Sequence, residues 1–267
     1  MITYQIVTSA ESKQALKNDF QVFFKDVYEQ DLDDNNWEHQ FLHSPYEDSA
    51  LFLAFDTNRI VGSALMIPQK YQTKTCSGSY YLWTTSAVSK AYRSKGVYAE
   101  LLAMQREYTA KNKKDFIFAF PNKLAYPAVK LFGGFKDLYK TNLVETSIDM
   151  LDLKNIENSL VIDKDFFQWR FEHKDYLFYV IEDYIIISKK FENTLDILAL
   201  YRKKDLESLS IEIEKSKIPK DIITMASFLK DNATFKTLDT LSGTYYPINK
   251  DIDYNTIKLN LLMSDVF

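Results

Sequence analysis

The sequence has few of the residues that cross-link, interrupt or anchor a chain. Its 267 residues include one cysteine, Cys76, which excludes an intramolecular disulfide and a metal site built from cysteines alone. Glycine and proline number six each, too few for a collagen-like or low-complexity chain. No apolar run approaches the roughly 18 residues of a membrane span, and no basic segment precedes an apolar one at the N-terminus. These absences predict a cytoplasmic globular protein without membrane insertion.

An excess of positive charge is also missing. The net charge is −4 and the isoelectric point is about 5.5, which argues against general binding to nucleic acid. Hydrophobic residues make up 46% and aromatic residues 15% of the chain, enough to fill the core of one large domain or two ordinary ones. We expect two domains, residues 1–150 and 151–267, because the polar connector 153–159 separates two sets of predicted elements.

Hydrophobic periodicity predicts the element order βααβββαβαβ for the first half. The predicted elements are strand 3–7, a helix capped at Thr8, a short helix 37–42, strands 50–55, 60–67 and 79–88, a helix after Gly96, strand 116–120, helix 124–132 and strand-like segments to 150. In the second half they are a helix at 165–173, three strands within 177–201, a helix after Pro219 and a strand at 257–263. This order resembles the core of the first half and suggests a degenerate duplication, although no residue-level repeat is visible.

The most informative segment runs from a strand into a basic loop with one glycine and then into a helix. The first N–H groups of a helix lack intrahelical partners and lie at the positive end of its dipole, so such a turn binds anions. Residues 90–114 carry seven basic side chains against two acidic ones. Neither G-x-x-x-x-G-K-[ST] nor G-x-G-x-x-G spacing is present, which excludes the common ATP and dinucleotide loops. We therefore predict a different kind of phosphate site at 93–98.

The loop Arg93-Ser94-Lys95-Gly96-Val97-Tyr98 resembles the R/Q-x-x-G-x-G/A loop of the GNAT acyltransferase superfamily, whose element order is similar to that of the first half. The resemblance implies an α/β (α+β) GNAT fold with a central mixed, mostly antiparallel sheet flanked by helices, plus a smaller degenerate GNAT-like half. It implies acetyl-CoA or another acyl-CoA as cofactor, and no metal. The residues implied to hold its pyrophosphate are Arg93, Ser94, Lys95, Gly96, Val97 and Tyr98, and those implied to pair with its pantetheine are Ser86, Ala87 and Val88.

Further motifs support the same resemblance. Asn122 and Ala125, followed by 134–135, are similar to the family's N-x-x-A … GF block, which implies a position for Asn122 beside the cofactor arm. The motifs at 167–171 and 264–267 look like those of bacterial two-half acyltransferases, which are linked with surface-polysaccharide or modified amino-sugar biosynthesis.

Two positions depart from the family pattern. The last loop residue, a glycine or alanine in the family, is Tyr98, which keeps a backbone donor but adds bulk. The tyrosine that in the family protonates the departing thiolate is replaced by Lys130. Tyr126, one helical turn earlier, is the candidate that remains for this acid.

Direct attack on a thioester also needs a base and a stabilised oxyanion. Backbone N–H groups near Val88 are expected to serve the oxyanion. The candidate bases are His43 and Glu38, with His39 and His173 as the other histidines. No third ligand accompanies His39 and His43, so no metal site is predicted. The acceptor site is expected to be lined by His39, Tyr81 and Trp83.

Three hypotheses about function follow. The first is transfer of an acetyl or other short acyl group from acyl-CoA to the amine of a small acceptor, an amino sugar or sugar nucleotide, by a monomer or homodimer. The second is a catalytically silent CoA-binding module with a regulatory or binding role, suggested by the missing tyrosine. The third is a Fem-type aminoacyltransferase that uses charged tRNA, against which the intact pyrophosphate loop argues.

Overall fold

One mixed, mostly antiparallel sheet organises the chain in the computed structural model, which describes residues 1–154, 156–172, 175–191, 194–258 and 260–263. His173 and the terminal motif at 264–267 lie outside the described residues. Helices flank the sheet on both faces, so the predicted α+β class, with a central mixed, mostly antiparallel sheet, is confirmed. Among the described helices, none combines the length and the apolar character that a membrane crossing requires.

The elements are numbered in chain order. The helices are Ala10–Ala15 (α1), Lys17–Tyr28 (α2), Asp34–Trp37 (α3), Val97–Lys111 (α4), Ala125–Gly133 (α5) and Lys164–Phe171 (α6), and α3 continues into a π-helical turn, Glu38–Leu42. The strands are Ile2–Val7 (β1), Ala50–Asp56 (β2), Arg59–Gln72 (β3), Ser77–Val88 (β4), Phe116–Ala119 (β5), Lys136–Ser147 (β6), Tyr176–Ile181 (β7), Tyr184–Phe191 (β8), Thr194–Arg202 (β9), Asp221–Met225 (β10) and Lys236–Pro247 (β11).

The strand order shows that the two halves share one sheet. It reads β1-β2-β3-β4-β5-β11-β6-β10-β9-β8-β7, with parallel pairing only at β4–β5 and β9–β10. Strand β11, from late in the chain, lies between β5 and β6 and pairs antiparallel with both. A strand of the second half therefore completes the sheet of the first, and the division at residue 150 stays a prediction.

The predictions that fail lie mostly in the second half. The segment after Pro219 is strand β10 and not a helix, because its β-branched residues pair with β6. The described residues within 257–263 form no strand; residues 261–263 form a short helical turn, and Ile257, Leu261 and Leu262 pack against the core. The strand at 236–247 was not predicted. In the first half, Ser9 caps the first helix in place of Thr8.

Each face of the sheet carries its own apolar core. The face under α4 and α5 includes Tyr81, Trp83, Val97, Leu101 and Phe135. The opposite face, under α2, the π-helical turn and α6, includes Phe20, Phe41, Tyr80, Leu82 and Trp169. Consecutive residues of β4 thus point to opposite cores, as strand alternation requires.

Helix α6 joins the second half to the π-helical turn. The Trp169 ring stacks on His39 with centroids 5.0 Å apart, and its Nε1 donates to the His39 carbonyl at 3.1 Å. Asp163 caps α6 by accepting from the Phe166 N–H, and forms a 2.8 Å ion pair with Lys70 of β3. These contacts hold the helix of the second half on the core of the first.

Lys13 of α1 is a buried cation that contacts the segment before β2. Its Nζ donates to Ser49 Oγ at 2.9 Å, and Ser49 donates onward to the Phe41 carbonyl. Burial lowers the pKa of Lys13 from 10.5 to about 8, while Asp48 acts in the opposite direction. Because the folded state binds this proton more weakly than the unfolded state, the contribution of Lys13 to stability rises with pH between about 8 and 10.5.

We expect Lys13→Met to raise the free energy of unfolding by about 1–2 kcal/mol at about pH 7, because it removes a buried charge while Ser49 keeps its bond to Phe41. The gain should shrink at about pH 9.5, where the folded wild type holds a largely neutral lysine. Urea unfolding at both pH values measures this change in the free energy of unfolding, and Lys25→Met, at an exposed lysine, is the control. An equal gain at both pH values would contradict the shifted pKa.

Candidate active site

Strands β4 and β5 part near the middle of the sheet. They pair in parallel only over Tyr81–Trp83 and Ile117–Ala119. Strand β4 then continues to Val88 with β3 on one edge, whereas β5 has ended. From Thr84 onward, no described strand lies against the other edge of β4. Backbone groups at such an edge are available to pair with an extended ligand.

A bulge in β4 lies where the strands part. The register with β3 slips between the pairs Ser63–Ala87 and Leu65–Thr84. Thr85 has a φ of 47°, and Ser63 Oγ donates to its carbonyl at 3.3 Å. A positive φ in a β-branched residue costs of order 1–3 kcal/mol and persists where the surrounding structure enforces it, often at functional sites. The bulge turns peptide groups out of the ladder at this opening.

Beyond the opening, β4 leads into the tight turn that starts α4. Gly96 has a φ of 78° and directly precedes Val97, the first residue of the helix. The first intrahelical hydrogen bond of α4 runs from the Glu100 N–H to the Gly96 carbonyl, at 3.1 Å. The N–H groups of Val97, Tyr98 and Ala99 therefore have no partner within the helix. A Cβ at Gly96 would meet nothing within 4 Å. The turn therefore offers an anion free donors and open space.

Side-chain contacts fix this turn and give it positive charge. Arg93 Nε donates to the Val88 carbonyl at 3.1 Å. The Tyr92 hydroxyl donates to Asp56 at 2.7 Å, and this bond raises the pKa of Tyr92. Lys95 lies over the Tyr92 ring with its Nζ 4.3 Å from the centroid. Both Arg93 and Lys95 are exposed, so their charges are accessible to a ligand at Gly96.

Three buried polar atoms belong to β4 and to the first turn of α4. Trp83 Nε1, Ser86 Oγ and Tyr98 Oη have no hydrogen-bond partner among the residues that the structure describes. The Tyr98 and Trp83 rings have centroids 6.1 Å apart. Burial raises the pKa of Tyr98 to about 12, and the nearby Ser86 hydroxyl, outside hydrogen-bonding geometry, acts in the opposite direction. Buried polar groups usually have partners, so these atoms are available to a bound polar molecule.

The side chain of Asn122 fixes the first turn of α5. Its Oδ1 accepts hydrogen bonds from the N–H groups of Leu124 at 3.1 Å and Ala125 at 2.9 Å. These contacts are those of a helix cap. A contact between Asn122 and the cofactor arm stays a prediction.

The three predicted catalytic residues do not lie together. The Tyr126 hydroxyl donates to Asp137 at 2.7 Å, and Lys130 Nζ is 3.1 Å from the same carboxylate. Desolvation opposes the shift, but these two partners lower the pKa of Asp137. The Tyr126 proton is thus directed to a carboxylate. Glu38 is the first residue of the π-helical turn, and His43 directly follows its last residue. Both side chains are exposed.

The three residues predicted to line the acceptor site are divided between the faces of the sheet. His39 is 8% exposed and stacks on Trp169. Tyr81 and Trp83 are buried in the other core, beneath α4. The sheet therefore separates His39 from the other two side chains, and their role in binding an acceptor stays a prediction.

Some features of the opening have no counterpart in the sequence analysis. The bulge, where Thr85 and Ser86 lie opposite the single residue Ala64, carries no local signal, because neither residue is unusual in a strand. The entry of β11 beside β5 depends on pairing across more than a hundred residues. The unpartnered hydroxyls of Ser86 and Tyr98 become visible only once their surroundings are known.

A protein-family model described as an acetyltransferase (GNAT) domain matches residues 3–133. These residues are a GNAT acetyltransferase domain. The matched range contains β4 with its bulge, the turn at Gly96 and all of α4. Proteins with this domain are GNAT N-acetyltransferases, enzymes that take their acyl group from acyl-CoA. No curated protein matches this chain in a sequence comparison.

Solved structures of similar fold cover most of the chain. A GCN5-related N-acetyltransferase from Kribbella flavida has a TM-score of 0.64 at 10% identity, over 93% of this chain and 72% of its own. A probable N-acyltransferase from Enterococcus faecalis V583 has a TM-score of 0.63 at 10% identity, and the match covers 92% of this chain and 73% of that protein. Eis1 from Mycobacterium abscessus has a TM-score of 0.59 at 11% identity, and the match covers 92% of this chain and 73% of Eis1. At these identities the likeness concerns the fold alone.

We expect Asn122→Ala to lower the free energy of unfolding by about 1 kcal/mol, because two N–H groups at the start of α5 lose their acceptor. Asn122→Asp keeps that acceptor and should stay within about 0.5 kcal/mol of wild type. Urea unfolding of the two variants measures the difference. Equal stability of Asn122→Ala and wild type would show that the side chain does not act as a cap.

Proposed function

We propose that the enzyme transfers an acetyl or other short acyl group to the amine of a small polar acceptor, with the turn at 93–96 holding the diphosphate of acyl-CoA. The observation that carries this proposal is the combination of free helix donors, open space and positive charge at Gly96. Arg93 and Lys95 supply the charge, and the N–H groups at the start of α4 supply the hydrogen bonds.

The residues along β4 suit the remainder of the cofactor. An extended arm that leaves the turn at Gly96 can follow the open edge of β4 over Ser86–Val88. This path leads to the bulge, where displaced peptide groups are suited to hold a carbonyl oxygen. When bound, acyl-CoA supplies a thioester carbonyl that an amine can attack. The chain contributes by holding that carbonyl at the opening and keeping it oriented.

A cavity beside β6 supports a small polar acceptor. Its volume is about 460 Å³, within the range of small-molecule sites. The polar side chains that line it include Tyr139, Lys140, Thr141, Glu157, Asn255 and Lys258. The Tyr139 ring also lies 6.3 Å from that of Phe120, directly after β5, so one lining side chain reaches the end of the strand that borders the opening.

The chemistry of this lining favours an amino sugar or a nucleotide-linked amino sugar. Hydroxyl and amide groups complement sugar hydroxyls, and Lys140 and Lys258 complement phosphate. Glu157 already forms an ion pair with Lys74. The linkage with polysaccharide biosynthesis rests on the motifs at 167–171 and 264–267 and belongs to the same proposal.

The assignment of the general acid and base stays a prediction for Tyr126, His43 and Glu38. The bond from Tyr126 to Asp137 favours a second candidate function, a CoA-binding module without turnover. Thioester consumption with a panel of amino sugars, nucleotide-linked amino sugars and simple alkylamines separates the two. Turnover with any acceptor supports the enzyme, and binding of CoA without turnover across the panel supports the module.

The proposed cofactor site is tested by calorimetric titration with coenzyme A. We expect Gly96→Asp to weaken binding about 100-fold or more, because it places a carboxylate where the diphosphate should lie. Gly96→Ala is the matched control: it shares the strain of a side chain at positive φ, about 1–2 kcal/mol, without the charge. Its affinity should stay within about fivefold of wild type, since open space surrounds Gly96. Unchanged affinity in Gly96→Asp would refute the site.

A further inference from the structure

The side chain of Tyr139 connects the cavity beside β6 with the opening between β4 and β5. It lines the cavity and packs on the core opposite α4. We propose that the Tyr139 hydroxyl selects acceptors that carry a hydroxyl group next to the amine, as amino sugars do. This inference rests on the proposed function, because it takes the cavity as the acceptor site and the opening as the place of the thioester.

The register of the strands places Tyr139 level with the opening. Tyr139 of β6 lies opposite Gly243 of β11. The next residue of β11 pairs with Ala119, the last residue of β5, so Gly243 lies one position beyond the end of that strand. Ala119 is in turn level with Trp83, the last β4 residue that pairs with β5. A line across the sheet from Tyr139 therefore reaches the point at which β4 and β5 part.

The Tyr139 ring follows this line. A Cβ atom at Gly243 would lie 2.9 Å from Cε1 and 3.1 Å from Cζ of Tyr139, and 3.2 Å from Cε2 of Phe118 in β5. The tip of the ring therefore lies over Gly243, in space that a glycine leaves free. The ring is also 6.3 Å from that of Phe120, the residue after β5. The hydroxyl, which is bonded to Cζ, is thus carried across β11 toward the end of β5.

Packing alone does not account for this hydroxyl. Tyr139 Oη is buried without a hydrogen bond among the residues that the structure describes, whereas the side chain as a whole is only partly buried. A phenylalanine would keep the contacts with Phe118 and Phe120 and would bury no unsatisfied polar atom, which is costly. Burial also raises the pKa of Tyr139, so the phenol is neutral and can both donate and accept. The oxygen is therefore suited to a bound polar molecule.

The reaction restricts which group of the acceptor this hydroxyl can bind. An amine attacks the thioester with its lone pair, and a hydrogen bond donated to that lone pair would oppose the attack. The productive partner is therefore a group beside the amine, and a hydroxyl there can both donate to the phenol and accept from it. An alkylamine lacks such a group and would leave the phenol unsatisfied, which is how a polar site rejects an apolar analogue.

Two acceptors test the proposal on the full-length protein with acetyl-CoA as donor. Glucosamine has hydroxyl groups on both carbon atoms next to the amine-bearing carbon, whereas cyclohexylamine has a ring of the same size without hydroxyl groups. We expect Tyr139→Phe to lower kcat/KM for glucosamine about three- to tenfold, the effect of losing one hydrogen bond. The variant should leave kcat/KM for cyclohexylamine and KM for acetyl-CoA unchanged. Release of coenzyme A measures both reactions.

Tyr245→Phe is the matched control. Tyr245 lies on β11 and packs on the same core, with its ring stacked on that of Tyr254 at 4.4 Å between centroids. It should keep the wild-type kcat/KM for both acceptors. Urea unfolding of Tyr139→Phe should give a free energy of unfolding equal to or above that of wild type, because the variant removes an unsatisfied hydroxyl.

Three results would overturn the proposal. An unchanged kcat/KM for glucosamine in Tyr139→Phe, or equal losses for both acceptors, would show that the hydroxyl does not select acceptors, and wild-type turnover would still support the proposed function. A lower free energy of unfolding would show that the hydroxyl is satisfied within the protein. A wild type that acetylates neither acceptor would remove this inference and the proposed amino-sugar acceptor together.

Discussion

The parting of two parallel strands is the constraint on which the site depends. Strand β5 has only four residues and is followed closely by Pro121, which has no N–H to donate to a ladder. Strand β4 continues for five residues beyond the last pair, and its bulge at Thr85 bends it at the same level. An unpaired edge, a bulge and a helix N-terminus thus follow one another along a single segment. Had β5 been longer, the edge of β4 would have been filled by the protein itself.

The short strand β5 is held by parts of the chain that come much later. Thr244 of β11 pairs with Ala119 and donates its hydroxyl to the carbonyl of that residue at 3.3 Å. At the other end, Asp115 accepts from the Ser79 N–H and from Asn249 Nδ2. Both ends of β5 are therefore fixed by residues of the second half. Without these contacts, a four-residue strand with one parallel neighbour over three residues would have little to define its position.

The element pattern of the first half follows from local sequence because its strands and helices are consecutive neighbours. Strands β2 and β3 form a hairpin around a turn-rich tetrapeptide, and α4 begins directly after Gly96, where a left-handed residue is needed. In the second half, the consecutive strands β7, β8 and β9 pair locally and were predicted, whereas β10 and β11 pair with remote strands and were not. Strand β11 forms because β5 and β6 each offer it an unpaired edge, and strand β10 forms because it pairs with β6. A short stretch of sequence does not show which remote strand a segment will pair with.

The candidate site divides in the same way. The turn proposed to bind an anion can be predicted from residues 93–98, because a helix start, a glycine and basic side chains are all local properties. The positions of His39, Tyr81 and Trp83 cannot, since strand alternation and the packing of α6 decide which face each side chain meets. The same holds for Tyr126, whose partner Asp137 lies on another element.

What the sequence determined by itself is therefore the kind of fold and the chemistry of one loop, both of which arise from short-range periodicity, capping and charge. The tertiary structure decided where that loop points, which strand edge lies open beside it and which polar atoms are left without partners. These depend on contacts between residues far apart in the chain, and such contacts form only when the whole sheet is assembled.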